Sequence, residues 1–136
     1  MPPPSDSALR RLEKAARDAA ARAYAPYSHF PVGAAVLGGS GRIFAGCNVE
    51  NASYGLTCCA ERAAVHAAVA GGERTVRAVA VYTPTQLPTT PCGACRQVIH
   101  EFGPGALVLC VCDAKGRIET KLAALLPGAF GPGDLA

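Results

Sequence analysis

The chain has 136 residues, half of them hydrophobic and 6% aromatic, with a formal net charge of +3. This length predicts one domain, and the absence of a basic block or a basic-aromatic stripe argues against a nucleic-acid partner. No run approaches the ~20 apolar residues of a membrane span, and the opening Met-Pro-Pro-Pro-Ser-Asp lacks the regions of a signal peptide, so we expect a cytoplasmic protein with a small soluble ligand.

The first third of the chain predicts a helix followed by a hairpin. A proline-rich lead over residues 1–6 is expected to be disordered. Apolar side chains then recur at helical spacing over residues 7–24, and Pro26 stops the helix. Two short apolar runs, residues 32–37 and 43–47, flank a glycine-rich turn and predict the hairpin.

Helices and strands alternate in the rest of the chain. The predicted elements are a buried helix at 58–70, a strand at 77–82, a helix at 92–102, strands at 107–112 and 117–119, and a last helical turn at 122–126. This alternation favours a single α/β domain over residues 1–136, with a partly parallel sheet covered on both faces.

Three of the seven cysteines stand in a pattern typical of a metal site. Cys59 is expected at one helix start, and Cys92 and Cys95 lie three residues apart on the first turn of another, so their sulfurs can converge. Soft thiolates in a tetrahedral array select zinc. Three protein ligands leave the fourth position open to water, as catalytic zinc sites do, whereas structural sites close all four.

Glu61 follows the first of these cysteines by two residues and is well placed to move the protons of that water. The pattern therefore predicts metal-assisted hydrolysis, with Glu61 acting as base and then as acid. Zinc with three thiolates carries a net charge of about −1, which weakens it as a Lewis acid. We hypothesise that Arg62 and the two helix dipoles offset this charge.

Other interpretations of the same residues remain open. The Cys92 and Cys95 pair is also typical of a redox dithiol. Cys58 could join the other three cysteines in a closed structural zinc site. Glu61 could simply favour the start of its helix electrostatically.

Beyond the zinc pattern, several blocks resemble the small homotetrameric zinc-dependent cytidine deaminases of pyrimidine salvage. The blocks run in order across most of the chain: APYS at 25–28, FPVGAA at 30–35, GCNVENASY at 46–54, CAER at 59–62, PCGACRQ at 91–97 and LLPGAF at 125–130. The zinc motif is shared by several deaminase families. The NVEN segment and the LLPGAF tail make the resemblance specific.

This resemblance implies a three-layer α/β/α fold with a five-stranded mixed sheet. It implies one zinc per subunit on Cys59, Cys92 and Cys95, with Glu61 as the proton shuttle. It also assigns roles in substrate binding: Asn48 and Glu50 hold the ribose, Phe30 lies against the pyrimidine, the Ala60 backbone contacts the base, and Tyr54 and Phe130 reach into a neighbouring subunit's site.

The substrate expected from the resemblance is cytidine, and 2′-deoxycytidine beside it. An ionised Glu50 accepts hydrogen bonds from sugar hydroxyls and repels phosphate, so nucleosides are expected over nucleotides. Three alternatives are a deaminase of another amine-bearing molecule such as blasticidin S, a polynucleotide deaminase and a structural zinc module. The weak net charge argues against the second.

Overall fold

Five strands and four α-helices make up the computed structural model, which describes residues 2–136. The strands are β1 (Gly33–Gly38), β2 (Ile43–Cys47), β3 (Val76–Tyr82), β4 (Leu107–Val111) and β5 (Arg117–Lys121). The helices are α1 (Asp6–Ala20), α2 (Ala60–Ala70), α3 (Gly93–Phe102) and α4 (Leu122–Leu125), with 3₁₀ turns at Tyr54–Leu56 and Pro132–Asp134. Within residues 2–136, every helix is too short or too polar to span a bilayer.

The strands form one mixed sheet in the order β2-β1-β3-β4-β5. β1 pairs antiparallel with both β2 and β3, β3 pairs parallel with β4, and β4 pairs antiparallel with β5. Helix α3 makes the crossover between the two parallel strands. The predicted five-stranded mixed sheet is confirmed.

Helices cover both faces of this sheet and divide the core in two. On one face α1 packs Leu12 and Ala16 against Leu37, Leu109 and other residues of β1, β3 and β4. On the opposite face the buried side chains of α2 and α3 pack on the alternate residues of the same strands, among them Val79 and Val81. This arrangement is the expected three-layer α/β/α fold, and it places the two cysteine-bearing helices side by side.

Helix α1 differs from its predicted bounds at both ends. It begins at Asp6 because the side chain of Ser5 accepts a hydrogen bond from the backbone N–H of Ala8, so two residues of the predicted lead belong to the helix and its cap. Met1, the first residue of that lead, lies outside the described residues. The helix ends at Ala20, well before Pro26, because Tyr24 pairs with the segment after β2.

Candidate active site

The three predicted metal ligands come together at the facing starts of α2 and α3. Cys59 is the N-cap residue of α2, Cys92 is the N-cap residue of α3, and Cys95 lies in the first turn of α3. Their sulfur atoms all lie within 4.8 Å of one another, and Sγ of Cys92 is 3.4 Å from Sγ of Cys95. Both N-cap cysteines have extended backbone and stand at helix starts, where negative charge is favoured.

Cys58 is not part of this cluster among the described residues. Its sulfur atom approaches the backbone carbonyl of Cys59 at 3.6 Å. The geometry therefore favours three thiol ligands over the closed set of four that includes Cys58.

The chemistry of this donor set fits zinc. Three thiols this close cannot all lose their protons without a cation, because each thiolate repels the others. Burial raises the pKa of the Cys95 thiol well above its usual range, and the charge of Glu61 adds to this effect. A divalent ion that accepts soft sulfur ligands would relieve this repulsion, and zinc is the ion such a set selects.

Glu61 lies in the first turn of α2, where its side chain is only 6% exposed. Burial raises the pKa of this carboxyl above its ordinary value, against smaller opposing contributions from its own backbone N–H and from Arg62. A carboxyl held in this way takes up a proton more readily than a solvated one.

Arg62 points its guanidinium at the thiol cluster. Its Nη2 atom lies 3.3 Å from Sγ of Cys59 and 3.4 Å from the carbonyl oxygen of Thr57. The hydrogen bond to Cys59 raises the pKa of Arg62. The Nε atom is buried and has no hydrogen-bond partner within residues 2–136. The structure therefore places the Arg62 guanidinium beside one of the predicted sulfur ligands, and the offset of their charge stays a prediction.

A cavity of about 420 Å³ opens beside this cluster. It is lined by seven of the eleven residues predicted for the site, namely Phe30, Asn48, Glu50, Cys59, Ala60, Glu61 and Cys92. Two of the three predicted metal ligands thus share one cavity with the predicted sugar-binding residues. A larger cavity of about 550 Å³ lies between the Pro2–Pro4 segment and the end of α3, but no cysteine or carboxylate lines it.

Asn48 and Glu50 hold the backbone that forms one wall of the cavity. Asn48 accepts a hydrogen bond from the N–H of Val32 and donates one to the carbonyl of Phe30, each at 2.8 Å. Glu50 accepts hydrogen bonds from the N–H groups of Tyr27 and Ser28, and from the Ser28 hydroxyl. These hydrogen bonds, and above all the one from the Ser28 hydroxyl, lower the pKa of Glu50. The carboxylate is therefore ionised where it faces the cavity.

Tyr54 and Phe130 lie outside the cavity that holds the cysteines. Their side chains are 74% and 57% exposed. Tyr54 lines a neighbouring hollow of about 280 Å³ that shares Ser28, Glu50 and Thr57 with the main cavity. Gln97 of α3 donates a 2.8 Å hydrogen bond to the carbonyl of Phe130 and fixes the tail. Neither aromatic ring reaches the cavity of its own chain.

Sequence reasoning assigned no role to two residues that shape the site. Arg96 donates to the carbonyls of Pro91 and Leu125 and to the hydroxyl of Thr90, at 2.7 to 2.9 Å, and so fixes the loop that carries Cys92. Thr83, directly after β3, lines the cavity and is 1% exposed. The threonine-rich composition of residues 83–90 was the only signal in the sequence, but composition alone does not tell which hydroxyls face inward.

Comparison with known proteins agrees with this geometry. Residues 6–111 match the family model described as the cytidine and deoxycytidylate deaminase zinc-binding region. The chain is 49% identical to the cytidine deaminase of Sporosarcina psychrophila over 129 residues, which cover 94% of this chain and 95% of the relative. It is 48% identical to the cytidine deaminase of Mycobacterium tuberculosis over 88% of this chain and 87% of the relative.

Solved structures show the same similarity in three dimensions. The crystal structure of cytidine deaminase from Burkholderia pseudomallei superposes with a TM-score of 0.85 at 48% identity, covering 89% of this chain and 98% of that one. The structure of the Mycobacterium tuberculosis enzyme gives a TM-score of 0.77 at 42% identity, covering 94% and 99%. With the thiol cluster, the buried glutamate and these matches together, the chain belongs to the zinc-binding cytidine and deoxycytidylate deaminase family.

Proposed function

We propose that this protein hydrolyses cytidine to uridine and ammonia in a zinc-dependent reaction. The observation that carries the proposal is the shared cavity, in which Cys59, Cys92 and Glu61 line the same space as Asn48 and Glu50. The two cysteines and Glu61 suit hydrolysis at an amine-bearing carbon, whereas Asn48 and Glu50 suit the binding of sugar hydroxyls. The relatives named cytidine deaminase support the choice of substrate. We extend the proposal to 2′-deoxycytidine as a second substrate and to a role in pyrimidine salvage.

Cys59, Cys92 and Cys95 would hold the ion, which supplies a Lewis acid that makes hydroxide available near neutral pH. Glu61 then carries the protons: it takes one from the attacking water and delivers it to N3 of the pyrimidine ring. The oxygen of that water bonds to C4. Glu61 then takes the proton of the new C4 hydroxyl and gives it to the amino group, so the C4–N bond breaks and ammonia leaves as C4 becomes a carbonyl. Burial raises the pKa of this carboxyl, which favours its taking up each proton before passing it on.

The remaining cavity residues orient the nucleoside in this proposal. Phe30 lies next to His29, whose positive φ of 56° turns the chain sharply at this point, and its ring packs against the pyrimidine. The backbone of Ala60, fully buried at the start of α2, contacts the base. Glu50 accepts hydrogen bonds from the ribose, and Asn48 retains one amide N–H for it beyond the bond to Phe30.

We further propose that the protein works as a homotetramer with shared active sites. Tyr54 and Phe130 are large, exposed and outside the cavity of their own chain. Exposed aromatic side chains of this kind are enriched at protein interfaces. Burying both against a neighbouring subunit's cavity would remove this exposure and close the nucleoside from solvent.

Loss of ultraviolet absorbance on incubation with cytidine tests the proposed reaction. The protein as purified should deaminate cytidine, lose activity with a zinc chelator and regain it when zinc is added back. Blasticidin S and a cytosine-containing single-stranded DNA serve as comparison substrates. Turnover of either one but not of cytidine would overturn the assignment, as would full cytidine turnover after the metal has been removed.

A further inference from the structure

Thr83 is a buried hydroxyl in the cavity wall that has no role in the proposed mechanism. It directly follows β3, and side chains along a strand alternate between faces, so Thr83 points to the same side as Val79 and Val81. That side faces α2 and α3, and both Val81 and Thr83 line the cavity. The Thr83 backbone N–H is already bonded to the carbonyl of Val111, which fixes the residue in place.

A chain of hydrogen bonds determines where the Thr83 proton points. Thr85 Oγ1 lies 2.6 Å from the carbonyl oxygen of Leu87, and a carbonyl only accepts, so the single proton of Thr85 goes to Leu87. Thr83 Oγ1 lies 2.8 Å from Thr85 Oγ1, so Thr83 must be the donor in that pair. The contact with Thr89 Oγ1, in which Thr83 would again be the donor, is longer at 3.4 Å, so the shorter bond to Thr85 keeps the proton.

Because its proton is donated to Thr85, the Thr83 oxygen can take part in further hydrogen bonds only as an acceptor, through its lone pairs. A hydroxyl oxygen has two of them, and the contact with Thr89 uses neither, because Thr83 is the donor in that contact. The Thr83 side chain is 1% exposed, so a remaining lone pair finds its partner in a molecule that fills the cavity. Thr89, which contacts Thr83, lies three residues before Cys92 in the chain, and all three residues line the cavity.

We propose that Thr83 Oγ1 accepts a hydrogen bond from the exocyclic amino group of the substrate and thereby distinguishes substrate from product. This inference rests on the proposed function. Cytosine and uracil differ at C4, where an amino group that donates becomes a carbonyl that only accepts. An acceptor fixed beside this position favours the amine and repels the carbonyl, because two acceptors facing each other leave both unsatisfied. Thr83 thus helps to bind cytidine and to release uridine.

Substitution of Thr83 in the zinc-loaded enzyme tests this role. Thr83→Val keeps the shape of the side chain and removes the acceptor, so kcat/KM for cytidine should fall about 3- to 10-fold, the effect of one hydrogen bond. The inhibition constant for uridine should stay the same or decrease. Thr83→Ser restores the hydroxyl and should recover cytidine turnover to within about twofold of the parent.

Thr85→Val gives a second, independent test that leaves the Thr83 hydroxyl in place. Without Thr85 as acceptor, only the long 3.4 Å contact with Thr89 holds the Thr83 proton, which can then be donated to uridine. Uridine should therefore inhibit several-fold more strongly while the KM for cytidine changes little. Thr120→Val in β5, away from the cavity, is the matched control and should change neither constant. Zinc content and Tm of each variant show that the site and the fold are intact.

The outcomes separate the two proposals. If the parent enzyme does not deaminate cytidine, the proposed function fails first. If the parent is active and Thr83→Val weakens the binding of cytidine and of uridine to the same extent, Thr83 only packs the cavity wall and the inference is wrong. An unchanged uridine inhibition constant in Thr85→Val would contradict the proton direction on which the inference depends.

Discussion

Nη2 of Arg62 lies 3.3 Å from Sγ of Cys59 and joins a cation directly to one of the three sulfur ligands. Residues that support metal ligands in this way typically contribute 10- to 100-fold to metal affinity or activity. Arg62→Ala should therefore lower kcat/KM for cytidine by about this factor. Arg62→Lys should recover part of the loss, because an ammonium keeps the charge but not the planar donor geometry.

Arg10→Ala, on the exposed surface of α1, is the matched control for Arg62→Ala and should retain full activity. Zinc content is measured alongside turnover in each protein. Parent-like activity and zinc content in Arg62→Ala would show that the helix starts alone balance the charge of the sulfur ligands.

Glu61→Gln should retain zinc and nucleoside binding while it loses almost all turnover. The amide has nearly the same shape but cannot take a proton from water, and general acid–base catalysis of this kind contributes about 10² to 10⁴ in rate. Single-turnover measurements on the zinc-loaded variant give the loss directly. Glu101→Gln, an exposed position on α3, controls for the charge change. Activity of Glu61→Gln within about tenfold of the parent would remove this residue from its proposed role.

Glu50 should set the preference for nucleosides over nucleotides, because its carboxylate faces the cavity in ionised form. The parent should discriminate strongly against cytidine 5′-monophosphate. Glu50→Gln should raise the KM for cytidine and reduce this discrimination, since the neutral amide no longer repels phosphate. The kcat/KM ratio of the two substrates is the quantity to measure. Equal ratios in parent and variant would mean that another group excludes phosphate.

Glu73 should make the stability of the protein depend on pH in the acidic range. Its carboxylate, 6% exposed, accepts hydrogen bonds from the backbone and hydroxyl of Ser40 and pairs with Arg42 at 2.9 Å. The backbone N–H of Ser40 and then Arg42 lower the pKa of Glu73 below its ordinary 4.5. A lowered folded-state pKa adds stability that is present above the unfolded-state value and is lost as the pH falls through the folded-state one.

Thermal unfolding of the parent and of Glu73→Gln between neutral pH and pH 3 checks this expectation. The parent should have the higher Tm at neutral pH, and the difference should shrink as the pH falls below 4.5. Acid also protonates the zinc ligands, but it does so in both proteins. The quantity to follow is therefore the difference in Tm between parent and variant at each pH. Glu119→Gln on exposed β5 should show no such trend. A difference in Tm that grows toward acid would contradict a lowered pKa for Glu73.

Local sequence signals predicted most elements because each was bounded by a clear start or stop. The bounds of β2 were correct. Helix α3 begins one residue later than predicted because Cys92 caps it, and α4 ends one residue earlier, with Leu126 as its C-cap. The end of α1 was wrong by four residues, since the pairing of Tyr24 with Val49 is a long-range contact that no local pattern reveals.

The difference between local sequence patterns and long-range contacts also explains which residues of the site were predicted. Cys59, Cys92, Cys95 and Glu61 were predicted because fixed spacings at helix starts encode their convergence. Thr83 was missed because its place in the cavity depends on how the loop after β3 folds back toward α3. The hydrogen bonds of Arg96 that hold this loop join residues up to 29 positions apart, beyond the reach of any local pattern.

Gly46 offers a test of how tightly the sheet positions the start of α2. A Cβ atom added at Gly46 would lie 2.5 Å from the backbone nitrogen of Ala64 and 2.7 Å from the carbonyl oxygen of Ala60. Both are backbone atoms of the helix that carries Glu61, so no side-chain rotation can relieve the contact. Gly46→Ala should therefore push α2 away from β2, lower the free energy of unfolding by about 3 kcal/mol and reduce turnover.

Urea unfolding and cytidine turnover of Gly46→Ala measure the two effects together. Gly105→Ala is the matched control, because a Cβ atom there meets nothing within 4 Å among the described residues. A loss of stability with unchanged kcat would show that α2 moves as a rigid unit together with α3 and keeps the cysteines in register. Cys59 and Glu61 stand at the start of α2, while Cys92 and Cys95 stand at the start of α3. We therefore expect the two helices to separate and kcat to fall.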